Sequence, residues 1–159
     1  MKVVSNSSPL IILYKCGKLE LLKQLFGQVL IPNAVHQEVV YNTKDPQQSE
    51  AISCCDFIQV HAIPDQQFEF SHRIDRGEAE AIILASILNP DYLLLDDKRA
   101  QKEAKLHGID FIPTFAVILK ASQKGIISDF ESVITDLQQK NIYLSRELNL
   151  AARSFLDLN

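Results

Sequence analysis

No stretch of this chain approaches the ~20 consecutive apolar residues that a membrane span requires. The most apolar segment, Ala79 to Leu88, is short and is interrupted by Glu80 and Ser86, so no membrane partner is expected. An apolar leader with a small-residue cleavage site is also missing, because Met1-Lys2-Val3-Val4 passes directly into Ser5-Asn6-Ser7-Ser8. A cytoplasmic location is the expectation. Cysteine is scarce and odd in number: Cys16, Cys54 and Cys55 form no C-x-x-C spacing, and the adjacent pair is poorly placed to bridge itself. Reduced, structural thiols are predicted. The four histidines, His36, His61, His72 and His107, are scattered without metal-ligand spacing, which argues against a zinc site. Positive charge is not in excess either, since the formal net charge is −4. A duplex-coating protein carries a basic surface, so any nucleic-acid contact must be local. The candidates are Arg73 with Arg76, and Lys98, Arg99, Lys102 and Lys105; the plainer account of those lysines is a solvated helix face.

What the chain has is ordinary globular material: 159 residues, 47% hydrophobic and 23% charged. That is enough for one substantial core, and a single domain over residues 1–159 is expected. Short apolar strands alternate with helical patterns. Strands are predicted at 2–5, 29–31, 92–95 and 109–112, with an extended segment at 57–63. Helices are predicted at 8–16, 18–26, from Pro32 onward, near 47–54, from Asp75-Arg76-Gly77 to Leu88, at 98–107, from Pro113 to Lys124, at 128–140 and at about 145–156. Pro32 and Pro113 are each placed at the first helical position, where a missing N–H costs little. Tyr92 to Leu95 is continuously apolar, as expected of a strand buried on both faces. Such alternation implies a three-layer α/β/α sandwich around a mostly parallel sheet. No internal repeat or low-complexity segment interrupts it.

Candidate chemistry lies in carboxylates at costly positions. Ser5-Asn6-Ser7-Ser8 forms a polar cluster at the carboxyl end of the first strand, where open α/β sheets bind ligands. Glu80 shares a helix stripe with Ile83, Leu84 and Ile87, and an ionised carboxylate there needs a partner or a metal. Glu78 lies about 200° around the helix from Glu80, so the two are not expected to share a site; Glu80 is the first choice. The bland role for Glu78 is a first-turn charge favoured by the helix dipole. Asp96 and Asp97 follow Leu93-Leu94-Leu95, and alternation lets one of them face the strand-end site. Asp97 also suits the cap of the next helix. Glu38 sits between Val35 and Val39, where a surface helix would place an apolar residue.

Taken in order, SNSSPLI, LFGQVLIPNAVHQEVV, DRGEAEAIILAS and LLLDDKRAQKEAKLHGI resemble successive landmarks of PIN-domain proteins, within an uncharacterised prokaryotic branch related to VapC-type toxins. The resemblance extends from Val3 to about Leu148. It implies a PIN-like three-layer fold whose acidic cluster at the carboxyl edge of the sheet binds Mg²⁺ or Mn²⁺ to cut RNA. By motif, Asn6, Glu38, Glu80 and Asp97 stand at the four acidic positions, Asp96 is a further metal candidate, and Ser8 and Glu78 are supporting residues. Glu78 and Asp96 recur within that branch. RNA contacts fall to Lys98, Arg99, Lys102 and Arg76.

The departure is Asn6, which stands where the family opens its site with Asp. An amide carbonyl can still be a ligand for a hard cation, which takes oxygen donors, but it brings no charge. At ~4 Å and an effective dielectric of ~20, one lost unit interaction removes about 4 kcal/mol before relaxation and screening. The expected function is therefore a metal-dependent ribonuclease with a weakened site, of the toxin kind held by an antitoxin protein. The alternative is a catalytically inactive PIN-like module that binds RNA or a protein partner. The resemblance to toxins also implies a homodimer as one assembly, with Ile87, Leu88 or the C-terminal Leu148, Leu150, Phe155 and Leu156 as interface candidates; core packing accounts for those residues equally well.

Overall fold

A computed structural model describes residues 1–65 and 67–142. The expected helix at about 145–156, and with it Leu148, Leu150, Phe155 and Leu156, lies outside the described residues. Five strands form one sheet: β1 (Lys2–Ser5), β2 (Gln28–Pro32), β3 (Ile58–His61), β4 (Tyr92–Leu94) and β5 (Phe111–Ile112). Their order is β3-β2-β1-β4-β5, and every pairing is parallel. The chain therefore winds outward in both directions from β1. The carboxyl edge between β1 and β4 is the topological switch point, the crevice in which sheets of this kind bind ligands.

Burial on both faces explains the uninterrupted apolar strands. Val3, Val29, Ile31 and Leu94 pack into one core with α1 (Ser7–Lys15), α2 (Leu21–Phe26), α7 (Thr114–Gln123) and α8 (Phe130–Gln139). Their chain neighbours Val4, Leu30, Leu93 and Leu95 pack into a second core on the opposite face, with α5 (Arg76–Leu88) and α6 (Lys98–Leu106). The side-chain period of two sends consecutive residues into different cores, and the result is the three-layer sandwich expected from the sequence. Two further short helices, α3 (Asn33–His36) and α4 (Pro46–Ser53), complete the layer above the first core through Val35 and Ile52.

Some boundaries differ from those expected. Pro32 ends β2 in register with His61, and its extended backbone (φ −76°, ψ 166°) makes it the cap residue before α3. Pro113 does the same before α7 (φ −75°, ψ 161°). Proline's fixed φ suits a strand end as well as a first helical turn, so the prolines stand one residue earlier than predicted. The helix expected over 18–26 begins only at Leu21. α3 does not continue as a regular helix: it passes into a π-helical turn, Gln37–Tyr41. Such turns are rare and frequently fall at functional sites, and this one carries Glu38.

A candidate metal site at the carboxyl edge of the sheet

Asn6 leaves β1 at the switch point, its N–H bonded to the carbonyl of Leu94 on β4 (3.1 Å). It occupies the cap position of α1, and asparagine ordinarily fills that role by accepting a helix N–H through Oδ1. Here the side chain makes no cap hydrogen bond. Oδ1 is instead buried without a hydrogen-bond partner, on a residue only 5% exposed. An orphaned buried acceptor costs about 1–3 kcal/mol, so the position calls for a donor or a cation.

The surroundings of Oδ1 are oxygen-rich. Gly77, in the first turn of α5, has no side chain, and a Cβ placed on it would lie 2.9 Å from Glu38 Oε2, 3.4 Å from Asn6 Oδ1 and 3.5 Å from Asp75 Oδ1. Three oxygens from three separate elements thus converge on one small space that glycine keeps open. Glu38 Oε2 is held there by the Ser7 hydroxyl, which donates to it at 2.7 Å.

Asp75 and Glu78 lock the start of α5. The Glu78 N–H donates to Asp75 Oδ1 (2.7 Å) and the Asp75 N–H donates to Glu78 Oε2 (3.0 Å), a reciprocal capping box. Glu78 is 9% exposed. Burial pushes its carboxyl above the ordinary value; the N–H of Asp75 pulls it down, but the carboxylates of Asp75, Asp97 and Glu38 push it up again. That mutual repulsion means four carboxylates share one region of field. Beside it runs a groove lined by Arg73, Asp75, Glu78, Asp97 and Arg99.

The two strand-end aspartates have different tasks. Asp96 is the hub of the β4–α7 junction: Oδ1 accepts from the Thr114 N–H (2.7 Å), and Oδ2 accepts from the Thr114 and Ser8 hydroxyls (2.6 and 3.1 Å). Asp97 caps α6, Oδ1 accepting from the Arg99 and Ala100 N–H groups (2.8 and 2.9 Å), while remaining close enough to act on Glu78.

Glu80, the first choice on this helix, faces the start of α3. Its Oε2 accepts from the Ala34 N–H at the start of α3 (2.8 Å) and its Oε1 from Arg76 Nε (3.0 Å), so both oxygens are engaged between α3 and α5. The helix rotation that separates the two glutamates does hold, but Glu78 is the one beside Asp97 and Glu38. Arg76, a candidate RNA contact, spends one guanidinium nitrogen on Glu80 with its side chain 83% exposed. Lys98, Arg99 and Lys102 are exposed on α6, Arg99 lining the groove. Sequence reasoning missed Asp75 and Gly77 as site residues; the D-x-x-E spacing of a capping box followed by the apolar helix was the available signal for the first.

Among the described residues no three His, Cys, Asp or Glu side chains are arranged to hold a metal ion by themselves. The donor set that converges over Gly77 is two carboxylates and one amide carbonyl, which suits a hard cation that keeps several of its waters and not a closed cage. The orphaned Asn6 Oδ1 is the observation that fits such an ion. No helix among the described residues is long and apolar enough to cross a membrane.

Comparison with solved structures finds similarity to a PilT N-terminus domain protein of the hyperthermophilic archaeon Sulfolobus solfataricus P2, with a TM-score of 0.53 and 18% identity over 76% of this chain and 93% of that one. At that identity the likeness supports the fold alone. No curated protein matches the chain. A family profile, DUF3368, described as a PIN domain, matches residues 2–156. With nearly the whole sequence covered, and with the all-parallel sheet and its carboxylate-rich switch point in place, the chain belongs to the DUF3368 family of PIN domains, a class that is generally nucleolytic.

Proposed function

We propose that this protein is a Mg²⁺- or Mn²⁺-dependent endoribonuclease whose cation is held over Gly77 by Asn6 Oδ1 and Glu38 Oε2. The observation that carries this reading is the buried, unpartnered Asn6 Oδ1, beside a carboxylate and facing a space only glycine leaves open. A bound divalent ion supplies a more acidic water and neutralises charge on a phosphodiester. The chain's own residues do the rest. Ser7 fixes the Glu38 carboxylate, Asp96 with Thr114 and Ser8 fixes the strand ends around it, and Arg73 and Arg99 line the adjacent groove where a phosphate backbone can lie. Glu78 lines the same groove beside Asp97.

The single neutral ligand among the charged ones favours a second reading, in which the module binds RNA or a protein antagonist without cutting. Calorimetric Mn²⁺ titration followed by cleavage of a mixed-structure RNA separates the two. The nuclease reading expects metal-dependent cleavage that falls at least ~100-fold in Glu38→Gln, a change that leaves the Ser7 hydroxyl an acceptor. Saturable Mn²⁺ binding with no cleavage by the wild type or by Asn6→Asp overturns it in favour of the binding module. A small protein antagonist encoded beside this gene is proposed as a partner, with Ile87, 39% exposed on the outer side of α5, among the apolar residues it would cover.

A further inference from the structure

We propose that Asp75 supplies the negative charge that Asn6 lacks, so that the cation over Gly77 is balanced by Glu38 and Asp75 while Asn6 contributes only a carbonyl. This rests on the cation reading above and adds a residue to it.

Acidic side chains gather at helix N-termini for reasons unrelated to ligands, and Asp75 has such a role as the cap of α5. Its second role follows from where its oxygen stands. Oδ1 lies 3.5 Å from the position of a Cβ on Gly77, with Glu38 Oε2 and Asn6 Oδ1 at 2.9 and 3.4 Å from the same point. Capping alone would gather acceptors around the N–H groups of the helix. Asn6 belongs to a different helix, caps nothing and is buried without a donor, so an acceptor has been placed among carboxylates with only a cation or a water left to satisfy it.

The placement of Asp75 is also rigid. Its backbone N–H is held by Glu78 and its Oδ1 holds the Glu78 N–H, so its charge is oriented before any ligand arrives. With Glu38 and Asp75 together, the space has the two carboxylates that suffice for a hydrated hard cation. In effect, one negative charge of the site is moved from the end of β1 to the cap of α5, across the gap that Gly77 leaves.

Charge and cap are separable because asparagine caps a helix about as well as aspartate. The experiment is a Mn²⁺ titration by calorimetry on the metal-free full chain, with unfolding followed by circular dichroism. Asp75→Asn is expected to melt no lower than wild type and to lose at least ~10-fold in Mn²⁺ affinity. Asn6→Asp in the Asp75→Asn background is expected to restore affinity to within ~3-fold of wild type, because it returns the charge to the other side of the same space. Unchanged affinity in Asp75→Asn, or failure of the second substitution to restore it, overturns the role of Asp75 and leaves the cation reading intact. If neither the wild type nor Asn6→Asp binds Mn²⁺, a water satisfies Oδ1 and both proposals fall.

Discussion

Glu78 shows how one side chain records the electrostatics of its surroundings. It is nearly buried, it faces the carboxylates of Asp75, Asp97 and Glu38, and its carboxyl is raised above 4.5, chiefly by burial. A carboxyl raised on folding binds protons more tightly in the folded state, so stability is full below the unfolded value and declines as pH rises through the folded one. Glutamine at the same place keeps the oxygen that accepts from the Asp75 N–H and is equally suited to a capping box, but carries no charge. Glu78→Gln is therefore expected to melt higher than wild type at pH 7 without metal, with the advantage shrinking to nothing near pH 4. Each kcal/mol relieved is worth ~3 °C in a chain of this size. Scanning calorimetry across that pH range checks it; a lower melting temperature at pH 7 would mean that the capping box, and not repulsion, dominates.

At the scale of elements, the site is assembled from ends: the end of β1, the π-helical turn after α3, the start of α5 and the start of α6. The segment entering α5 is fastened to α6 by Glu103, which is fully buried. Its Oε1 accepts from the His72 N–H at 2.5 Å and pairs with His72 Nδ1, and His107 Nε2 stands 3.7 Å from Oε2. Burial works to raise the Glu103 carboxyl, but the hydrogen bonds and charge of His72 outweigh it and hold it below 4.5. A carboxyl lowered on folding stabilises above its unfolded value and loses that contribution as pH falls through the folded one. Glu103→Gln is thus expected to lower the melting temperature at pH 7 and to converge on wild type only as pH falls through that lowered value. It is also expected to speed proteolysis between residues 62 and 75, because the same tether positions Arg73 and Asp75. Equal cleavage rates would show that Phe68 and Phe70, which stack with His107, hold the segment unaided.

Taken whole, the molecule was most legible where a pattern repeats and least where a single side chain chooses a direction. β1, β2 and β4 announced themselves because both faces of each are buried, and Val3-Val4 and Leu93-Leu94 divide between the two cores. Asn6, Glu38 and Asp97 stood out as candidates because each stands at an element end or breaks an apolar stripe. Periodicity put Glu78 and Glu80 on different sides of α5, yet it carried no information on which side faces β1, since that depends on where α3 packs; the Ala34 N–H took Glu80. Asp75 drew no notice as a candidate because the D-x-x-E spacing at the start of α5 is accounted for by capping alone. The same division of the core makes a testable demand on stability. Leu93 and Leu94 are both fully buried on β4, beside the central strand β1, one in each core, so neither layer is a mere cover for the other. Truncating either to alanine removes a buried side chain that its neighbours cannot replace, at about 2–5 kcal/mol, which corresponds to a fall of roughly 5–15 °C. Comparable losses in Leu93→Ala and Leu94→Ala, each in a single cooperative transition, are expected. A large loss in one with almost none in the other would mean that one helical layer contributes little to holding the sheet, and hence little to fixing the ends on which the site is built.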